Sequence, residues 1–520
     1  MLLAVLTQTS RTVAAQSSRR AKIACIAALL RGCPQDEIGR VALWLTGETG
    51  PVKLGVGPAQ VRAALETRSA SEPTLTVTEA AQRLDAIASI SGSGSRERRA
   101  LALAQLFAVA TAEEHQFLAR LILGELRQGA LTALVTDAVA VAFNLPADAV
   151  RRAQMLRGDI GEVATIACRE GRAGLEALRL SLFRPLQPML AQPAEDIDDA
   201  VSRLDRPVLE YKLDGARVQI HKRGDEVRVY SRQGNEVTAA VPEIVSVIGA
   251  LPESELVLDG ETLALSSDGS PLPFQTSMRR FGRRSDDPEL RARLPLTLYC
   301  FDCLACGGET LIDQPTLTRH AALADAVPAS LIIPRIEATC ADKARAFFAQ
   351  ALGAGHEGLM AKDRAAPYAA GGRGSHWLKI KQAQTLDLVV LAAEWGSGRR
   401  QGWLSNLHLG ARDADGGFVM LGKTFKGLTD ERLAWQTMEL LRRETERDGT
   451  VVHVRPELVV EIAFNELQQS RQYPGGLALR FARVKRYRTD KTAADADSLA
   501  LVRALFERQI AYRDAAASDG

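Results

Sequence analysis

The sequence predicts a multidomain α+β protein: an all-α N-terminal domain over 1–180, an α+β domain over 181–388 and a C-terminal β-barrel over 389–520. Three observations predict it. Helical periodicity fills the first third, a proline-rich tract ends it, and short β-branched runs between glycine turns follow. In the first part, Leu103, Leu106, Phe107 and Val109 recur at helical spacing. Thr111 stands three residues before Glu114, a capping box for a helix expected to end at Gly129. Pro185, Pro188 and Pro193 cannot sit inside a helix and so mark a boundary. Beyond about 205, strands mix with helices expected near 315–325 and 341–353. Strands are expected again at 386–393, 404–411, 418–423 and 457–464, with one amphipathic helix near 429–446. Five or so short strands plus a helix suggest a small barrel of the OB-fold kind.

A length of 520 residues suits roughly three domains, each with its own core. Hydrophobic content of 46% and charged content of 25% are ordinary for a soluble globular protein. Net charge is only +2, so a polyanionic partner must be held by local clusters, not by a global field. Three clusters are present: Arg11, Arg19, Arg20, Lys22 and Arg31 in an acid-free start; Arg279, Arg280, Arg283 and Arg284; and Arg480, Arg483, Lys485, Arg486, Arg488 and Lys491. Each alone reads as a solvated face, but three in one chain shift the reading toward a polyanionic partner. Seven scattered cysteines argue for a reducing compartment. Cys300, Cys303 and Cys306 lack a fourth ligand at zinc-site spacing and lie in a strand-like run. The apolar start Met1 to Leu6 has no signal-length core, and Asp137, Asn144 and Asp148 interrupt the apolar stretch 130–150. A cytosolic protein without a membrane span is expected.

The octet Glu210-Tyr-Lys-Leu-Asp-Gly-Ala-Arg217 is the most informative segment. It sets Lys212 at the end of an apolar, strand-like run and just before a glycine turn. A lysine amine becomes a covalent catalyst when desolvation or nearby cations lower its pKa. Taken alone, the octet reads as a surface turn in which Asp214-Gly215 closes a hairpin; the downstream segments overturn that reading. Downstream come Ser231-Arg232, Leu258-Asp-Gly-Glu261, Tyr299-Cys-Phe-Asp302, Glu357-Gly-Leu-Met-Ala-Lys362, Trp377-Leu-Lys-Ile-Lys381 and the basic run Arg480 to Lys491. Lys379 and Lys381 alternate with Leu378 and Ile380, so a strand would carry both ammonium groups on one face.

In this order and spacing the segments resemble the six motifs of the covalent nucleotidyltransferases, and best those of ATP-dependent DNA ligases of the three-domain type. The stretch Arg120 to Gly129 is similar to part of their helical DNA-binding domain. The resemblance implies an ATP-grasp-like adenylation domain between that domain and the OB-fold. It implies that Lys212 attacks the α-phosphate of ATP to give lysyl-AMP, that AMP passes to the 5′-phosphate of nicked double-stranded DNA, and that the 3′-hydroxyl then seals the strand. Glu210 would accept from the adenine amino group and Phe301 would stack on the purine. Arg217 and Arg232 would contact ribose and nick phosphate, and Arg373 the nucleotide. Lys379 and Lys381 would bind the α-phosphate. Glu261 and Glu357 would bind the metal, expected to be Mg²⁺ with Mn²⁺ as the alternative.

Ala482 and Val484 depart from the family pattern, which has a proline and often an aromatic there. The barrel is expected to move about the segment 382–390. Ser91-Gly-Ser-Gly-Ser95, just before a helix, would offer backbone N–H groups to a DNA phosphate. The resemblance further implies a monomer encircling DNA, cytoplasmic and nucleoid-associated, in replication, repair or recombination. Other readings are a GTP-dependent capping guanylyltransferase or RNA ligase on the same core, an NAD-dependent ligase, and a catalytically silent nick-binding protein.

Overall fold

The computed structural model describes residues 1–50, 54–126, 132–272, 274–281, 287–370, 376–381, 384–464, 466–470 and 472–507. It divides into two compact units. The first comprises Met1–Ala264, Ser277–Gly353 and Leu359–Ile380; the second comprises Leu265–Thr276, Ala354–Gly358 and Lys381–Gly520.

The first unit begins with eleven α-helices among the described residues from Leu3 to Ala177. The capping box forms as expected: Thr111 Oγ1 accepts from Glu114 N, and Glu114 Oε2 accepts from Thr111 N at 2.8 Å. The helix stops at Ile122, before the expected Gly129, because Gly124 takes a left-handed conformation (φ 67°) that closes its C-terminus. Gly129 itself lies outside the described residues.

The proline tract is more than a connector. Leu186 N donates to Gln219 Oε1 at 2.7 Å, Gln187 N to the Met155 carbonyl at 3.0 Å and Met189 N to Tyr368 Oη at 3.1 Å. The tract is thus pinned to helical and β segments alike.

Beyond it lie two five-stranded sheets. One runs in the order Gln192–Pro193, Trp377–Lys381, Gly358–Lys362, Val208–Lys212, Arg335–Glu337. The other runs Glu226–Ser231, Ala216–Arg223, Glu255–Ala264, Leu296–Cys306, Glu309–Thr310. The helices expected near 315–325 and 341–353 are Thr316–Ala326 and Ala341–Gly353. Cys300 and Cys303 are buried along Leu296–Cys306, and burial raises both thiols above the ordinary range.

The second unit is β-rich. The long strand Gln384–Trp395 pairs through its first half with Val459–Phe464 and through its second half with Val451–Val454, while Leu404–Arg412 lies along its other edge. Register shifts bend it at Val390/Ala392 and Glu394/Trp395. Leu386, Leu388, Val390, Leu407, Leu409 and Ile462 face one apolar core. This strand crosses residues 388 and 389, where the sequence set a domain boundary, and belongs whole to the second unit. The helix expected over 429–446 ends at Leu441. Glu444–Asp448 instead pairs with Val451–Val454 as a hairpin around Gly449 (φ 56°), an Asp-Gly turn that outweighs the helical pattern.

On one face of this unit Glu394 accepts from His408 Nε2 at 2.9 Å, from Asn406 Nδ2 at 2.8 Å and from Lys423. Burial pushes its carboxyl up, but the hydrogen bonds from Lys423, His408 and Asn406 outweigh that and hold it at about 2, against an ordinary 4.5. A depressed folded value stabilises the fold above pH 4.5 and loses that contribution as pH falls toward 2. Urea midpoints measured across that window should fall less steeply with acid for Glu394→Gln than for the unaltered chain.

Candidate active site

Lys212 ends the strand Val208–Lys212, whose preceding residues are buried while Lys212 is half-buried. Leu213, Asp214 and Gly215 then carry the chain from one sheet to the other, so Asp-Gly closes no hairpin here. The crossing is tight. A Cβ on Gly215 would stand 2.5 Å from the Thr262 carbonyl oxygen and 3.0 Å from Glu261 Cγ, so only glycine lets the turn lie against the Glu261 strand.

Across this turn the second sheet aligns three expected site residues. Arg217 is the register partner of Glu261, and Glu261 that of Tyr299, two residues before Phe301. Glu261 is half-buried. Burial raises its carboxyl to about 7; Arg217 and Lys212 oppose the rise, and Asp259 and Asp214 add to it.

Arg217 is committed internally. Its Nε and Nη2 donate to Asp259 at 2.9 and 2.6 Å, its Nη1 to the Met189 carbonyl at 2.6 Å, and its Nη2 also to Tyr368 Oη at 3.1 Å. Tyr368 Oη in turn donates to Asp259 Oδ2 at 2.7 Å. Phe301 is buried, with the Arg217 guanidinium 5.3 Å and the Lys362 ammonium 4.6 Å from its ring centre and Trp377 edge-on at 6.1 Å.

Glu210 lies two residues before Lys212 on the same face of its strand and is 1% exposed. Its Oε2 pairs with Lys362 Nζ at 2.7 Å, and Lys362 Nζ also donates to the Phe301 carbonyl at 3.0 Å. Beneath them Arg319 grips Asp302 through both oxygens, at 2.7 and 3.0 Å, with both side chains wholly buried. Lys379 and Lys381 share the partly exposed face of Trp377–Lys381, while Leu378 and Ile380 are buried. Lys381 Nζ pairs with Glu357 at 2.8 Å, so two residues expected at phosphate and metal hold each other. Arg232 is exposed in the turn after Glu226–Ser231. Arg373 lies outside the described residues.

Motif spacing did not reveal the supports. Asp259, Lys362 and Trp377 sit inside the quoted motifs but drew no role, and Tyr368 carried no local signal. The basic clusters are also tempered. Arg11 pairs with Glu113, Arg19 with Asp137, Arg280 with Glu243, Arg486 with Glu461, and Arg488 and Lys491 with Asp387. Arg283 and Arg284 lie outside the described residues. The Ser91 to Ser95 loop does precede a helix, Ser95–Ala108, and Arg98 donates to the Ser91 and Ser93 carbonyls at 2.6 and 3.2 Å. Among the described residues no group of three or more His, Cys, Asp or Glu could hold a metal ion, and no helix is long and apolar enough to cross a membrane.

The chain is similar to known proteins. Family models match in chain order: DNA ligase N terminus over residues 60–140, ATP dependent DNA ligase domain over 188–381, and ATP dependent DNA ligase C terminal region over 400–491. A probable DNA ligase of Anaeromyxobacter sp. (strain Fw109-5) is 57% identical over 514 residues, 98% of this chain and 99% of that protein. One of Sorangium cellulosum (strain So ce56) is 54% identical, covering 97% of this chain and 95% of its own. A solved structure named Pmar-Lig_Pre covers 93% of this chain and 99% of its own at 18% identity, with a TM-score of 0.55, a likeness of fold. The chain belongs to the ATP-dependent DNA ligases. It is a ligase that uses ATP and acts on DNA.

The Arg217–Asp259 pair should resist truncation least. Asp259→Ala leaves a guanidinium buried without its counter-ion and should cost about 3–5 kcal/mol in chemical denaturation. Tyr368→Phe, which removes one hydroxyl from the same network, should cost about 1 kcal/mol.

Proposed function

We propose that this ligase seals nicks in duplex DNA through lysyl-AMP on Lys212. The amine, once deprotonated, attacks the α-phosphorus of ATP; an N–P bond forms, the α–β phosphoanhydride breaks, and pyrophosphate leaves with the electron pair. The nick 5′-phosphate then takes the adenylyl group from Lys212, and the 3′-hydroxyl displaces AMP to close the strand. The observation that carries this reading is the position of Lys212 at the half-buried end of its strand, one glycine turn from Glu261 and Arg217. There its charge is already felt by a carboxyl that burial raises to about 7.

Glu210 reads the adenine amino group and Phe301 flanks the purine. Arg217, through the Asp259 pair, positions the turn and the ribose side, while Arg232, Arg373, Lys379 and Lys381 serve the phosphates. Glu261 fits a divalent cation, since a carboxyl held near neutrality by burial gains from a hard cation. Mg²⁺ is the expected ion and Mn²⁺ the alternative, with Glu357 as a second carboxylate and most oxygens from phosphate and water. When bound, the ion offsets phosphate charge around the attacked phosphorus. We read the chain as three domains: a helical one that binds DNA, the two-sheet one that carries adenylation, and the β-rich one, which takes in the whole strand Gln384–Trp395, as an OB-fold. It acts as a monomer around nicked DNA, cytoplasmic and nucleoid-associated.

Incubation with α-labelled ATP, GTP and NAD should label the protein from ATP alone, and Lys212→Ala should stay unlabelled. The same variant should still join a nick that already carries a 5′-adenylate, because the lysine is not consumed in that step. Labelling of Lys212→Ala, or labelling from GTP in preference to ATP, would remove the reading. Nick affinity should also fall steeply across a salt series, as phosphate contacts require.

A further inference from the structure

A guanidinium carries five N–H groups. Among the described residues, four of those on Arg217 are taken. Nε and one Nη2 hydrogen form the fork on Asp259, the other Nη2 hydrogen goes to Tyr368 Oη, and one Nη1 hydrogen goes to the Met189 carbonyl. The second Nη1 hydrogen is the one left to meet a ligand.

Where that hydrogen points depends on how the guanidinium is held. The Asp259 fork grips the edge formed by Nε and Nη2, and by itself it would let the Nη1 end rock about that edge. Two further contacts stop the rocking, and both run through the Tyr368 hydroxyl. It accepts from Arg217 Nη2 at 3.1 Å and from the Met189 amide at 3.1 Å, and the carbonyl of that same methionine takes Arg217 Nη1 at 2.6 Å. With both lone pairs used, its proton goes to Asp259 Oδ2 at 2.7 Å. Burial and Asp259 push the phenol well above its ordinary range, so that proton stays in place. One hydroxyl thus touches the arginine, its counter-ion and the peptide that supplies its remaining acceptor.

The hydroxyl is itself anchored. Tyr368 is 2% exposed, and its amide donates to the Ile312 carbonyl at 2.8 Å. Pro367 before it has a fixed φ, and the Ala366 carbonyl accepts from Thr316 Oγ1 at 3.2 Å and Arg319 Nη1 at 3.1 Å. On the other side the Ala369 amide reaches Met189 Sδ at 3.5 Å. A phenol buried only for packing needs a single partner for its hydroxyl. This one has three, and two of them are the members of an ion pair.

We propose that Tyr368 is a positioning residue for lysine adenylation: it aims the remaining Nη1 hydrogen of Arg217 by holding the guanidinium both directly and through Met189. The proposal rests on the reading that Lys212 is adenylated with Arg217 beside the nucleotide. Arg217 stands where this matters, as the register partner of Glu261 on the far side of the Gly215 turn from Lys212. A small misplacement of such a group is costly in rate, because the reacting atoms must meet in one geometry.

The test is single-turnover adduct formation from α-labelled ATP, with the rate constant read apart from the amplitude. Tyr368→Phe keeps the ring and removes the hydroxyl. Its rate constant at saturating ATP should fall about tenfold, the worth of one hydrogen bond to a charged group. The ATP concentration giving half that rate should move by less than about threefold. A loss of stability alone would lower the amplitude and leave the rate constant where it was. In an Arg217→Lys background the same substitution should change the rate constant by less than about twofold, because the group it acts through is gone. If Arg217→Lys forms no adduct, the rate constant and half-saturation of Tyr368→Phe decide alone. An unchanged rate constant in Tyr368→Phe, a Tyr368→Phe chain that does not fold, or an equal loss in both backgrounds overturns the assignment. An Arg217→Lys enzyme as fast as the unaltered one removes the reading of Arg217 itself, whereas a slow Arg217→Lys beside an unchanged Tyr368→Phe removes only the role of Tyr368.

Discussion

Two opposite charges at 1% exposure can persist only as partners, and the Glu210–Lys362 pair imposes that condition on the centre of the fold. Glu210 belongs to the strand that ends in Lys212; Lys362 ends the neighbouring strand of the same sheet and reaches the Phe301 carbonyl in the other sheet. The pair therefore ties the two sheets together. Arg319–Asp302 does the same between a helix and the Phe301 strand, and Arg217–Asp259 joins adjacent strands while holding Tyr368 and Met189. Buried ion pairs add little net stability against apolar packing, but they fix geometry, because any slip strands a charge in a medium that cannot solvate it.

This constraint explains how a flexible lysine side chain can start from a defined place. Lys212 stands at the rim of the charged interior, not within it. Its strand is anchored two residues earlier by Glu210, and the following turn is held against Thr262 and Glu261 by a glycine with no room for a side chain. The backbone on either side of Lys212 is thereby fixed in position. Glu261, on the far side of that turn, feels both Lys212 and Arg217.

The electrostatics of the outer surface follow a different logic. Net charge is near zero, and many arginines that look clustered along the chain are balanced by acids distant in sequence. Arg488 and Lys491 share Asp387, and Arg488 also takes Asp490. Exposed pairs such as Arg11–Glu113 are individually weak, whereas the Arg488–Asp387 pair is mostly buried.

Much of the site was legible in the sequence because chemistry fixes residue type and local geometry fixes spacing. A strand ending in lysine and the alternation of Lys379 and Lys381 with Leu378 and Ile380 are local facts. The helices of the first part and most strands of the last were equally local, being written in capping boxes and periodicity. The hairpin over Glu444–Val454 was missed because its Asp-Gly turn competes with a helical pattern that runs on from Leu441. What only the tertiary structure decided is who neutralises whom: Lys362 with Glu210, Tyr368 with Asp259 and Arg217, Lys381 with Glu357, Asp387 with Arg488. Sequence position carries no information about these partners, since each pairing depends on burial, and burial is created only when strands and helices distant along the chain close over the same charge.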